Sequence, residues 1–312
     1  MNYLNMQTKR QCSINYPKLL ELTSLQVEEF MYLLYRFDIC CKTYFRLHDL
    51  SGSFRRIPKY IEDARSSLPD SSRKLYFILT YLKENPNQQY HGELFGMSQS
   101  RVSKWVNLLI PILEKALAYL KVVPKRLSHE LYVVLKNLGE MFVLMDATER
   151  EIPRSVNYER QKFEYSGKKR THTIKNNLIT NDSNRILYLS DSYEGSAHDK
   201  RIADEAELQF PDNSYLVQDL GYIGFDPDNV TVLMAQKNYK RNPLSSYEQE
   251  INWLIGKIRV QVEHVMAGIK RLKIVKEKIR LKNDHIKDKV MVIACALHNL
   301  RIEFRNNNKK SE

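Results

Sequence analysis

The chain has 312 residues, 43% hydrophobic and 28% charged, a composition that excludes a disordered chain and allows one large domain or two ordinary ones. No apolar run approaches the roughly 20 residues that span a bilayer, and the amino terminus MNYLNMQTKR lacks the layout of a signal peptide, so a cytoplasmic protein is expected. The formal net charge is +12, and residues 251–312 hold fifteen Lys and Arg against six Asp and Glu. Charge concentrated in this way attracts a polyanion by counterion release. Nucleic acid is favoured over membrane, because no basic amphipathic helix carries bulky aromatics on its apolar face.

Residues 1–135 read as mostly helical. Ser24–Arg36 and Arg73–Leu82 carry apolar residues at helical spacing, and polar stretches around Pro58, Pro69 and Pro86 separate them. The window Gln88–Asn107, QQYHGELFGMSQSRVSKWVN, meets the packing demands of a helix-turn-helix. Gly92 is small where a second helix crosses, Gly96 suits a left-handed turn, and Ser98 suits a helix cap. Met97, Val102 and Trp105 would anchor the recognition helix. Gln99, Ser100, Arg101, Ser103 and Lys104 would face outward toward base edges and phosphates, with Gln99, Arg101 and Lys104 the chief DNA-binding residues. Cys12, Cys40, Cys41 and Cys295 show no CxxC spacing, so reduced buried thiols and no zinc site are expected.

Pro124, in the stretch Lys121–His129, interrupts a long apolar helix and marks the link between the halves. The expected division is an all-α DNA-binding domain over 1–128 and a second domain over 129–312. In the latter the period changes. Met141–Ala147, Arg170–Thr180, Arg185–Asp191, Tyr215–Asp219 and Val230–Ala235 are short runs bounded by turn residues, and each reads as a strand. A helix is expected from near His198 and a long one over 245–305. Three strands, a helix, two strands and a long helix is the order of an RNase H-like α/β domain, a mixed five-stranded sheet with helices.

Three acids fall at meaningful points of that order. Asp146 and Asp219 each close an apolar strand, and Glu263 lies in the long helix. There Ile251, Leu254, Ile255, Ile258, Val262, Val265, Ile269 and Leu272 form a core-facing stripe, with Arg259, Glu263 and Lys270 as a polar row on its margin. Hard carboxylate oxygens gathered this way can hold two Mg²⁺ ions near a phosphodiester, one activating water or a 3′-hydroxyl and the other stabilising the leaving oxygen. Asp199 is a fourth acid, more suited to orienting the helix after it than to direct ligation, and His198 beside it is a neighbour for substrate or a ligand carboxylate. The basic run Lys168-Lys169-Arg170 lies on a hairpin and suits DNA phosphates.

The pieces MDATEREIPR (145–154), YSGKKRTHTIK (165–175), GSAHDKRIA (195–203), QDLGYIG (218–224) and RVQVEHVMAGIKRLKIV (259–275) resemble the DDE transposases of bacterial insertion sequences. The match is specifically to insertion-sequence family five and its eukaryotic PIF/Harbinger relatives. The resemblance covers about residues 140–300, and the helix-turn-helix suits it. It implies that Asp146, Asp219 and Glu263 are the catalytic, metal-binding triad, with two Mg²⁺ ions that Mn²⁺ can replace. It also implies that Arg259 and Lys270 match the family's Tyr-x2-Arg-x3-Glu-x6-Lys signature, in which Gly256 replaces the tyrosine. The expected activity is binding of terminal inverted repeats, cleavage at the transposon ends and joining of the 3′-hydroxyl to target DNA. A homodimer or larger synaptic assembly on double-stranded DNA is expected, nucleoid-associated in a bacterium. Two readings remain open beside it: a catalytically silent domesticated transposase acting as a DNA-binding regulator, and a nuclease of the same fold that cuts without joining.

Overall fold

In the computed structural model, which describes residues 16–60, 66–139, 141–240 and 243–311, the chain divides into two units between Leu120 and Lys121. Cys12 lies outside the described residues. The first unit is helical: α1 (Leu19–Thr23), α2 (Val27–Leu47), α3 (Ser71–Glu84), α4 (Gln88–Phe95) and α5 (Gln99–Tyr119). Its core is built from Leu33, Phe37, Leu75, Ile78, Val102, Val106, Leu109 and Leu113, with the thiols of Cys40 and Cys41 buried and unpaired beside them. Burial pushes both thiols up, away from the reactive thiolate.

Within this unit α4 and α5 form the helix-turn-helix. Gly96 ends α4 at φ +65°, a conformation that costs an L side chain strain. A Cβ on Gly92 would stand 2.4 Å from the Met97 carbonyl oxygen and 3.3 Å from Val102 Cγ2. Gly92→Ala would gain about 1 kcal/mol of helix propensity but displace a backbone oxygen at a cost of about 3 kcal/mol, the upper end for overpacking. The expected result is a lower thermal midpoint together with weakened DNA binding, read by melting and by electrophoretic shift. An unchanged shift would disconnect this turn from DNA. Val102 and Trp105 are buried, and Gln99, Ser100, Arg101 and Lys104 are exposed as expected; Ser103 and Met97 are half-buried. Ser98 stands at the N-cap of α5, but its hydroxyl pairs with that of Ser100 at 3.1 Å and makes no cap bond to the backbone. The break after α5 comes at Tyr119, earlier than Pro124, with Lys121 at φ +58°.

The second unit holds α6 (Ser128–Leu138), β1 (Phe142–Glu151), α7 (Tyr158–Glu164), β2 (Tyr165–Ser166), β3 (Thr171–Asn181), β4 (Ile186–Leu189), β5 (Tyr193–Glu194), α8 (Asp199–Glu205), β6 (Ser214–Gln218), β7 (Val230–Met234), α9 (Ser246–Ile269), α10 (Lys273–Lys276) and α11 (Asp284–Ser311). Residues 121–127 also fall in it: the Lys125 backbone bonds Leu187 and Leu189 beside β4. The five expected strands run β4-β3-β1-β6-β7, antiparallel from β4 to β1 and parallel from β1 to β7. The sheet has seven strands rather than five, because β2 and β5, two residues each, also pair with β3. One face buries Val143, Met145, Ile179, Leu187 and Leu216 against Leu131 and Leu135 of α6 and Ala203 of α8. The helices α9, α10 and α11 cover the other, which completes an RNase H-like α/β fold. No helix among the described residues is long and apolar enough to cross a membrane.

Each unit buries one histidine. His91 lies against Phe77 and Phe95, and His298 sits over Gly268, where a Cβ would be 2.3 Å from its Nδ1. Burial pushes both down from 6.5 to about 4. An unfolded chain takes up these protons first, so the stability each neutral ring contributes is complete above pH 6.5 and is lost as pH falls toward 4. Between pH 7 and 5 the loss should be about 2 kcal/mol per histidine. Urea midpoints that stay level or rise over that interval would contradict the burial.

Candidate active site

Parallel pairing of β1 with β6 puts Leu144 opposite Val217. Two residues further along each chain stand Asp146 and Asp219, so the register brings the two aspartates to adjoining positions, strands being about 4.8 Å apart. Asp146 does not end its strand, as the sequence had implied. The strand continues to Glu151 because β3 is eleven residues long and pairs with it throughout, Asp146 facing Leu178. What ends at Asp146 is the contact with β6, and a strand that outlives its neighbour leaves a side chain beside a gap. Asp219 follows β6 and opens a single 3-10 turn, accepting the Leu220 N–H at 2.7 Å. Asp146 accepts the Ala147 N–H at 2.8 Å.

Charge is crowded here. Burial pushes the Asp146 carboxyl up, and the nearby Asp219 and Asp199 add to the rise, against the Ala147 N–H and Arg259, which lower it. Tyr222 is fully buried and its hydroxyl finds no hydrogen-bond partner; burial raises its pKa, and Asp199, Asp146 and Asp219 raise it further. One helix supplies the countercharge. Arg259 Nη1 meets Asp219 Oδ1 at 3.0 Å, and Lys270, whose pKa is pushed down by burial and by Lys169, is held up in turn by Asp146. Glu263, one turn after Arg259 on the same side of α9, is exposed. Among the described residues no group of three or more His, Cys, Asp or Glu lies close enough to hold a metal ion, so Glu263 is not gathered with the two aspartates.

Asp199 stands at the first turn of α8, after His198 at the N-cap, and its fixed partner is a lysine that sequence reasoning missed. Lys175 is buried on β3, its ammonium donating to Ala197 O at 2.7 Å and pairing with Asp199 Oδ1 at 3.1 Å and Glu149 Oε1 at 3.3 Å. The other Asp199 oxygen leans on Gly221, where a Cβ would stand 3.0 Å away. Asp199 therefore orients α8 and adds negative potential to the pair. His198 is exposed and its side chain makes no cap bond. A lysine inside a strand between Ile174 and Asn176 was the available signal. Lys168, Lys169 and Arg170 form the exposed turn between β2 and β3, with Arg170 at φ +54°.

The stripe on α9 is only partly core. Val262, Val265, Met266 and Ile269 are buried, but Leu254 is exposed, and burial is continuous only in the second half of the helix.

The donor types suit a divalent cation: carboxylate oxygens of Asp146 and Asp219 at one register position, a carboxyl pushed up by burial and then by its like-charged neighbours, and an orphaned phenol among them. A hard cation held there would relieve that crowding.

Two family models match the chain. Residues 145–299 match the DDE superfamily endonuclease, and residues 66–118 match the helix-turn-helix of DDE superfamily endonuclease, more than half of the chain together. A curated relative, the probable transposase for insertion sequence element IS702 of Microchaete diplosiphon, is 26% identical over 211 residues, covering 66% of this chain and 72% of its own length. No solved structure matches.

Proposed function

This chain belongs to the DDE superfamily of endonucleases as a transposase with a helix-turn-helix DNA-binding segment, and we propose that it cuts the ends of an insertion sequence and joins them to target DNA. The element would be of the kind of insertion-sequence family five and PIF/Harbinger. In this reading the helical unit, which ends at Leu120, recognises the terminal inverted repeats. Gln99, Arg101 and Lys104 present their polar ends to base edges and phosphates. The second unit, from Lys121 onward, carries the chemistry.

Asp146, Asp219 and Glu263 would hold divalent cations, Mg²⁺ with Mn²⁺ as substitute, which when bound supply Lewis-acid stabilisation of the developing phosphoryl charge. Glu263 would join the two aspartates through adjustment of α9. Arg259 holds Asp219 in place and, with Lys270, Lys168, Lys169 and Arg170, carries positive charge for phosphates on either side of the scissile bond. Through Lys175, Asp199 keeps the start of α8 against β3, and His198 next to it faces the solvent from which substrate arrives. Alignment of the attacking oxygen with the phosphodiester is the main service of such a site. Processing two ends in one event calls for a homodimer or larger assembly.

The observation that supports this reading best is the register of β1 on β6, which sets Asp146 beside Asp219 under the helix that bears Arg259 and Glu263. The experiment is incubation of the protein with Mg²⁺ and DNA ending in the element's inverted repeat. Nicking at the repeat and joined products support transposition. Nicking without joined products would leave a nuclease, and binding without cutting would leave a DNA-binding regulator.

A further inference from the structure

The first half of α9 is a tethered element with an uncovered face. A Ser245–Glu248 capping box fixes its start, and Asn252 exchanges two hydrogen bonds with the Gln236 backbone, at 2.8 and 2.9 Å, which ties the helix to the segment after β7. On this platform Trp253 is 57% exposed, and the Lys257 ammonium lies 3.5 Å from the centre of its ring. Tyr239 and Tyr247 are exposed nearby in sequence, and so are Lys237 and Lys240 on the tied segment. The other tryptophan of the chain, Trp105, is buried. Gly256, one turn after Trp253, has nothing within 4 Å of where a Cβ would stand, so bare backbone lies between the ring and Arg259.

Aromatic rings interleaved with lysines are the chemistry of a nucleic-acid strand: a π-face stacks on any unpaired base, and ammonium groups take the phosphates. A protein partner would not need one lysine on the ring and two more exposed on the segment tied to the helix. Trp253 precedes Glu263 by ten residues, about 15 Å along the helix. That is the distance of a few nucleotides from the reacting phosphodiester.

Building on the nuclease reading, we infer that Trp253, Lys257 and the Lys237–Lys240 segment form a binding platform for an unpaired DNA strand flanking the cut. The base stacks on the Trp253 ring. Lys257, Lys237 and Lys240 neutralise phosphates on either side of it.

The test uses the full chain and a fifteen-residue oligothymidylate, which offers stacking without sequence or pairing. Wild type should lose tryptophan fluorescence on titration. Trp253→Ala should bind about tenfold more weakly at an unchanged thermal midpoint, and Trp253→Phe should keep most of the affinity, in line with stacking strength at single bases. Lys257→Gln should flatten the plot of log affinity against log salt by about 0.7, the increment for one phosphate on a single strand. Equal oligothymidylate affinity for Trp253→Ala and wild type would overturn the inference. If DNA-free protein also fell from dimer to monomer in that variant, the occupant of this face would be a second copy of the chain. Cleavage of repeat-ended duplex with Mg²⁺, run alongside, separates the two claims: cutting that persists while oligothymidylate affinity is unaffected by Trp253→Ala removes the platform and leaves the nuclease.

Discussion

Asp146→Asn is expected to abolish strand cleavage and, at the same time, to make the fold more stable at neutral pH. The first effect follows from the proposed mechanism, in which Asp146 would ligate a metal ion, a charge worth several kcal/mol of transition-state stabilisation, or roughly a thousandfold or more in rate. The second follows from the direction of the carboxyl shift. Burial, with Asp219 and Asp199 close by, raises Asp146 above its ordinary 3.8, so ionisation is less favourable in the native state than in the unfolded chain. A group raised on folding contributes stability that is whole below the unfolded value and lost as pH climbs through the folded one. At pH 7 the ionised carboxylate therefore strains the fold, and a neutral amide of the same shape does not. Mg²⁺ should raise the melting temperature of wild type by relieving the same crowding and leave the variant nearly unmoved. Cleavage by the variant at more than about a hundredth of the wild-type rate would remove Asp146 from the chemistry. A melting temperature below that of wild type at pH 7, with no Mg²⁺ response in either protein, would remove the crowded-carboxylate account. Activity bought with local instability is common where like charges must be held together.

The strands that position this site were legible because Val, Ile, Leu and Tyr runs mark them between turn residues. The adjacency that matters was not. Nothing in the one-dimensional pattern says that the strand ending at Gln218 pairs in parallel with the one bearing Asp146; that comes from the crossover through α8, a tertiary fact. The far half of β1, Thr148-Glu149-Arg150-Glu151, lies beyond the expected strand Met141–Ala147, and yet it is paired strand. Its charges are matched across the sheet, Glu149 with Lys175, so the usual rule that buried strands are apolar fails where ion pairs replace apolar contacts. The short strands β2 and β5 carry too few residues for any period to show. On α9, helical spacing correctly put Arg259, Glu263 and Lys270 on one side, but it could not tell that the sheet supports only the second half of the helix, and so Leu254 was read as core.

The same far half of β1 carries the largest expected loss of stability. Arg150 is 1% exposed, and its guanidinium donates to Lys287 O at 2.8 Å, Asn176 Oδ1 at 2.7 Å and Ser192 Oγ at 3.0 Å. Ser192 passes the chain on to Asp288, which Arg126 grips by both oxygens. Burial pushes Arg150 down to about 10, which still leaves it charged at neutral pH. Desolvation of the cation opposes folding, and the hydrogen bonds offset it only while all the acceptors are in place. Arg150→Ala removes the donors, orphans buried acceptors on β3 and α11, and opens a cavity; the loss should be about 4 kcal/mol. For a unit of this size that is a drop of about 10 °C in melting temperature. Arg150→Met refills the volume without the donors and should recover part of the loss, since cavity and orphaned acceptors are separate costs. Arg150→Lys should do little better than Met, because one ammonium cannot serve acceptors arranged for a planar fork. A change under about 1 kcal/mol for Ala would mean the network contributes nothing net. Asp146, Thr148 and Arg150 alternate onto one face of β1, so the anchor that holds the strand to α11 also fixes the line on which the Asp146 carboxylate stands. Loss of cleavage in Arg150→Ala below its melting transition, regained with Met in proportion to regained stability, would show that this buried fork acts on the site through the strand.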